Sequence, residues 1–202
     1  MQTRPFIPAA GHDAALPLYD PLTALFGAPA RRQLLIERAK LVPEQRVLDI
    51  GCGTGSLAIA IKRAHPRVEV VGIDPDPLAL ARARKKAARA SVDARFEQGY
   101  GDALPFADAS FARVVSSFML HHLDRALQQR LLAQALRVLE PRGSAHIIDF
   151  ARDDRARVFG RKLQGAEMLA EDLAAVGFSE VTVEPRPRWL LQRVIYGQAA
   201  RR

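Results

Sequence analysis

"VLDIGCGTGSL", residues 47–57, decides how the rest of the chain is read. Val47, Leu48 and Ile50 mark a buried strand, Asp49 interrupts it, and glycine then takes positions 51, 53 and 55. Glycine admits positive φ and lets main chain come close to a ligand where any Cβ would collide. "SLAIAIKRA" (56–64) follows with helical spacing, and a helix start offers N–H groups and partial positive charge. A buried strand that runs through bare main chain into a helix start is suited to holding something small.

Outward from that stretch, apolar runs alternate with amphipathic ones. "VEVVGID" (68–74) reads as a second strand, "ARFEQ" (94–98) as a weaker third, "ARVVSS" (112–117) as a fourth and "SAHIIDF" (144–150) as a fifth. Between them, Asp76 caps a helix that has Pro77 in its first turn. Asp124 caps another, in which Leu127, Leu131, Leu132, Ala135, Val138 and Leu139 keep the helical period. "EPRG" breaks that helix. A last helix, "AEMLAEDLAAV", stops at Gly177, and "EVTVE" and "LLQRVIYG" close the chain as two strands joined through "PRPRW".

Near-continuous apolar strands alternating with helices require a parallel sheet covered on both faces. The last two strands have no room for a helix between them and pair antiparallel. The expectation is a doubly wound α/β domain with a mostly parallel, seven-stranded sheet and a C-terminal antiparallel hairpin, over residues 46–202. Residues 1–45, with helical "PLTALFG" and "ARRQLLIERAKLV", are expected to form a flap.

The totals exclude several classes. A chain of 202 residues that is 49% hydrophobic buries a core without covalent staples. One cysteine, Cys52, permits no internal disulfide and no multi-thiolate metal site, and no metal is expected. The start lacks a secretory apolar core and no run is long enough to span a bilayer, so the expected location is the cytoplasm. The net charge of +8 is compatible with an anionic partner. "RARKKAAR" (82–89) lacks the interleaved aromatics of a nucleic-acid surface and reads better as a solvated helix face.

The glycine spacing narrows the ligand. A dinucleotide fingerprint, G-x-G-x-x-G, needs glycine at 56, where Ser56 stands, and the phosphate loop of nucleotide triphosphatases is absent. Asp74 ends the second strand, where a carboxylate accepts two hydrogen bonds from a ribose diol. The ligand therefore carries a ribose and needs no pyrophosphate.

"VLDIGCGTG", "VVGIDPDPLALARAR" and "GDALPFADASFARVVSSFMLHHL", in this order, resemble the class I S-adenosylmethionine-dependent methyltransferases, in their small-molecule and quinone-biosynthesis branch. The likeness covers residues 41–150 and implies the family's Rossmann-like fold, with S-adenosylmethionine as cofactor. It also implies that Asp49 and the main chain of Gly51, Gly53 and Gly55 hold the methionine end. Asp74 would bind the ribose hydroxyls, with Pro75 and Asp76 beside the adenine, and Ser117 and Phe118 would lie near the sulfonium. Where the family commonly has an aspartate for the adenine amino group, "GYGDALPF" places Tyr100, followed by Gly101, with Asp102 two places late. Either Tyr100 or Asp102 takes that role.

The activity implied is methyl transfer to a small organic acceptor, by in-line displacement that depends chiefly on positioning. Of the adjacent pair His121 and His122, His122 is the better candidate for a base, and Tyr19 is a candidate for closing the methyl pocket. Cys52 is committed to the glycine loop, which removes cytosine C5 as acceptor. "SSFML" replaces the Pro-Pro-aromatic motif expected for exocyclic amino groups. A lipid or quinone acceptor at a membrane surface, with peripheral contact through basic residues, is the first alternative; a non-catalytic cofactor-binding protein is the second. The sequence leaves the oligomeric state open.

Overall fold

Strand β1 (Arg46–Ile50) sits near the middle of a seven-stranded sheet, and the chain winds outward from it in both directions. In this computed structural model the described residues are 27–150, 157–158, 161–162, 165–189 and 192–202. Helix α1 (Ala28–Ala39) precedes β1. There follow α2 (Ser56–Ala64), β2 (Glu69–Asp74), α3 (Pro77–Arg89), β3 (Ala94–Gln98) and β4 (Phe111–Ser117). A 3-10 turn (Leu120–His122) leads to α4 (Arg125–Val138) and β5 (Leu139–Phe150). Short strands β6 (Arg157–Val158) and β7 (Arg161–Lys162) form a separate ribbon. Helix α5 (Ala166–Ala175) and strands β8 (Ser179–Trp189) and β9 (Gln192–Ala200) end the chain.

The strand order is β3-β2-β1-β4-β5-β9-β8. The first five strands are parallel, and β9 joins β5 and β8 antiparallel. Strand order therefore reverses between β1 and β4, and the loops after those two strands open a crevice at the carboxyl edge, where ligands of such sheets bind.

Capping chemistry fixes the helix starts. Asp76 accepts from the N–H groups of Leu78 and Ala79 at 2.8 and 3.2 Å, and Asp124 accepts from that of Leu127 at 2.9 Å. Gly177 ends α5 at φ +104, a value that glycine alone takes at no steric cost. One face of the sheet packs Leu131, Leu132, Leu169 and Leu173 on Leu48, Ile50 and Ile73. The other packs Leu35 and Ile36 of α1, Leu57 and Ile61 of α2 and Leu80 of α3 on Val47, Val70 and Val115. Helix α1 is thus part of the core; residues 1–26 of the expected flap, Tyr19 included, lie outside the described residues.

"PRPRW", expected to join the last two strands, is instead the end of β8, which pairs with β9 as far as Trp189 opposite Gln192; its prolines are tolerated because β8 is an edge strand. β5 also departs from its expected extent: it begins at Leu139, five residues earlier, and "EPRG" bulges out of it. Pro141 has no N–H for the ladder, Arg142 turns to φ +65, and pairing with β4 resumes at Ser144 opposite Arg113. For the strand's histidine, His146, burial with help from Arg113 pushes the pKa down to about 3. It is held by Tyr196 and Ser144 at 2.7 and 2.8 Å, which makes it a core histidine, as its apolar setting suggests.

Candidate active site

Three amides hang the glycine loop on the end of β2. The N–H groups of Gly51 and Cys52 both donate to the carbonyl of Ile73, at 2.9 and 3.1 Å, and that of Gly53 donates to Asp74 Oδ2 at 2.8 Å. Asp74 Oδ1 accepts from the N–H of Asp76 at 2.9 Å. Gly51, Gly53 and Gly55 take φ of +70, +51 and +74, so the positive-φ requirement read from the sequence is met at all three.

Two of the three glycines are bare for a different reason from the one expected. A Cβ on Gly51 would lie 2.2 Å from Met119 Cγ, and one on Gly55 would lie 2.8 Å from Phe96 and 2.9 Å from Ala83. The space is taken by the protein's own side chains, which seat the loop against the β4 exit and against β3 and α3. Gly101 is similar: its Cβ would strike Leu131 and Ile50 at 2.5 and 2.8 Å. Lys86 of α3 adds a clamp, donating to Ser56 at 2.7 Å and Thr54 at 3.2 Å. Cys52 packs on Gly72 with its thiol pKa pushed well up by burial, an inert filler.

Beneath the loop lies the site's least satisfied group. Asp49 is 1% exposed, and neither carboxylate oxygen has a hydrogen-bond partner among the described residues. Burial pushes its pKa up to about 7; Arg32 of α1 opposes the shift, Asp74 adds to it, and the N–H of Ala58 pulls weakly the other way. Asp74 is pushed up to about 6, again chiefly by burial, with its two backbone donors opposing. A buried carboxylate without partners is costly unless a cation arrives.

Those two carboxylates fit S-adenosylmethionine. Asp49 is suited to the ammonium of the methionine end. Asp74 spends one lone pair of each oxygen on a backbone N–H and keeps others for a ribose diol. Helix α2 starts at Gly55, which has no side chain to cap its first turn.

The adenine side is less ordered by the motif. Half-buried Pro75 accepts from Gln98 at 3.1 Å. Tyr100, Gly101 and Asp102 form the turn after β3, where the carboxylate of Asp102 lies 3.6 Å from Arg130 of α4. Asp76 Oδ1 caps α3 while its buried Oδ2 has no hydrogen-bond partner.

On the far side of the crevice, Ser117 ends β4 and Phe118 takes φ +56, which costs a side-chain-bearing residue about 1–3 kcal/mol. Its N–H donates to Ile148 at 2.8 Å and its ring lies 5.0 Å from that of Phe150, which hold it there. Sequence reasoning favoured His122, but the residue held by a carboxylate is His121, with Nδ1 2.7 Å from Asp149 Oδ1. Asp149 went unnoticed in the sequence. The available signal was an acidic residue closing an apolar parallel strand, the same signal that singled out Asp74.

The comparisons with known proteins point the same way as this geometry. A family model described as a methyltransferase domain matches residues 47–143. The chain is 37% identical over 137 residues to a demethylmenaquinone methyltransferase of Thermus thermophilus, covering 66% of this chain and 61% of that protein. These matches support the class I S-adenosylmethionine-dependent methyltransferases as the family that this chain resembles. The chain is also 43% identical over 108 residues to a 27-O-demethylrifamycin SV methyltransferase of Amycolatopsis mediterranei, covering 52% of this chain and 38% of the relative. It thus spans less than two thirds of the length of these relatives. In three dimensions it matches the cyclase SpnF with a TM-score of 0.77 at 20% identity, over 85% of this chain and 80% of that one. That likeness concerns the fold alone, and the fold hosts more than one chemistry. No helix among the described residues is long and apolar enough to cross a membrane.

Proposed function

We propose that this chain binds S-adenosylmethionine in the crevice between the β1 and β4 loops and transfers its methyl group to a small organic acceptor. The observation that carries this is Asp49, a buried carboxylate without hydrogen-bond partners under a glycine loop whose neighbouring strand ends in Asp74. Bound there, the cofactor supplies a methyl group on a positively charged sulfur, open to in-line displacement. Asp49 neutralises the methionine ammonium, Asp74 fixes the ribose, and the Pro75–Asp76 and Tyr100–Asp102 turns flank the adenine.

Ser117 and Phe118 line the methyl end, where Phe118 and Phe150 present an aromatic wall that excludes water. Holding acceptor and methyl carbon in line is worth up to about 7–11 kcal/mol in well-oriented systems, so positioning is the main device. The names of the Thermus and Amycolatopsis relatives support a quinone-like or rifamycin-like acceptor. A cytoplasmic location belongs to the same proposal, as does peripheral membrane contact for an acceptor that resides in lipid.

The test is incubation of the purified protein with methyl-labelled S-adenosylmethionine and a small-molecule extract. Label is expected in the organic fraction. Cofactor binding without any label transfer would favour a non-catalytic binding protein instead.

A further inference from the structure

His121 and Asp149 are 28 residues apart in sequence and meet across the ends of β4 and β5. The carboxylate receives three groups. Its Oδ2 accepts from the backbone N–H of His121 at 3.1 Å, and its Oδ1 accepts from that of Phe150 at 2.7 Å. Oδ1 also lies 2.7 Å from His121 Nδ1. Both side chains are buried, at 4% and 5% exposure.

An ionised carboxylate can only accept hydrogen bonds, so Nδ1 must be the nitrogen that carries the proton. In the neutral ring the lone pair is then on Nε2, which has no hydrogen-bond partner among the described residues. Packing fixes the ring plane as well: Phe150 meets it edge-on at 4.9 Å and His122 lies tilted at 4.1 Å. The turn that carries His121 begins directly after Met119, the side chain seated against Gly51. The imidazole is therefore anchored between the cofactor loop and the aromatic wall.

We propose that Asp149 is a positioning residue that holds His121 as the proton acceptor for a protic methyl acceptor, a hydroxyl or an acidified carbon. An amine that already offers a lone pair has no need of this device. The proposal rests on the methyl-transfer reading above. His121 Nε2 takes the acceptor's proton, and the electron pair so freed forms the bond to the methyl carbon. The bond from that carbon to sulfur breaks with its pair left on sulfur, which loses its positive charge. The imidazolium rests against Asp149 until its proton leaves to water. Asp149 and His122 are the titratable side chains in contact with the ring among the described residues.

The experiment uses the full chain, Asp149→Asn and His121→Gln, in three measurements. Calorimetry with S-adenosylhomocysteine tests the cofactor reading by itself. Binding is expected in all three proteins, and its absence from the wild type would sink that reading while leaving the spectroscopic result to stand alone. Nitrogen-15 NMR of labelled histidines should show His121 neutral with its proton on Nδ1. In Asp149→Asn the amide N–H₂ must oppose the backbone N–H of either Phe150 or His121, so the single Nδ1-protonated form should give way to a mixture of the two tautomers. Third, 4-nitrophenol added to the S-adenosylhomocysteine complex should ionise about 1–3 pH units lower than in water, through the imidazolium that its proton creates. His121→Gln should abolish that shift. A proton on Nε2 in the wild type, no binding of 4-nitrophenol, or an equal shift in His121→Gln would each overturn the proposal. Should Asp149→Asn fail to fold, the wild-type spectrum and His121→Gln decide it.

Discussion

The two loops that leave the strand-order switch point are built by opposite means. After β1, the main chain does the work: three amides tie residues 51–53 to the end of β2, and side chains from β3, α3 and the β4 exit fill the places where Cβ atoms would be. After β4, side chains do it: Phe118 against Phe150, and His121 against Asp149. The first loop leaves an unsatisfied negative charge, and the second ends on an imidazole nitrogen. The contrast explains how one loop can be recognised by a common cofactor while the other is free to vary with the acceptor.

The largest effect should come from the carboxylate that anchors the first loop and is proposed to hold the ribose. Asp74→Ala removes the acceptor for Gly53 and Asp76 and with it the proposed partner of the ribose diol. Hydrogen bonds to charged groups contribute about 1.5–3 kcal/mol each, so affinity for S-adenosylmethionine should fall by ~100-fold or more. Calorimetry reads this directly, and retained affinity would break the assignment of the first loop.

Gly51→Ala asks whether bareness serves packing. Its Cβ would meet Met119 at 2.2 Å, and positive φ costs a non-glycine residue about 1–2 kcal/mol. The melting temperature should drop by several degrees. Met119→Ala in the same chain should restore part of the loss, leaving the φ cost. No coupling between the two substitutions would mean that Met119 is not what keeps position 51 bare.

A pH series sharpens the electrostatic side. Asp49, raised from its ordinary 3.8 to about 7, stabilises the ligand-free protein fully below its unfolded value and loses that contribution as pH rises through about 7. An ammonium needs the ionised form, so cofactor affinity should run the other way, weakening as pH falls through about 7. Asp49→Asn should flatten the affinity profile at a low level. At about pH 8 it should also raise the melting temperature of the ligand-free chain, since a pKa unit is worth about 1.4 kcal/mol. Thermal melts and titrations across this range check both signs.

The smallest effect expected is at the clamp. Lys86→Met removes two hydrogen bonds to Ser56 and Thr54, and should weaken cofactor binding by roughly 3–10-fold without unfolding the chain.

The same contrast explains what the sequence made legible. The first loop's determinants lie within nine residues, Val47 to Gly55, plus Asp74 at the end of the next strand, so local periodicity and glycine spacing expose it. Five parallel strands, the capped helices and the closing hairpin follow from patterns equally local. The dyad of the second loop joins a residue of the turn after β4 to one on β5, and nothing in "FMLHHLD" says which ring meets a carboxylate. Gly51's true neighbour, Met119, is 68 positions away, which is why its bareness was read as room for a ligand. The early start of β5 was hidden by Pro141 and Gly143, whose usual role as breakers is here that of a bulge.

Calorimetric titration of the intact chain with S-adenosylmethionine, set beside the same titration with a nicotinamide dinucleotide, tests the central claim most directly. One molecule of S-adenosylmethionine should bind per chain, and the dinucleotide should give no heat. Tight binding of the dinucleotide with none of S-adenosylmethionine would contradict the account at its base.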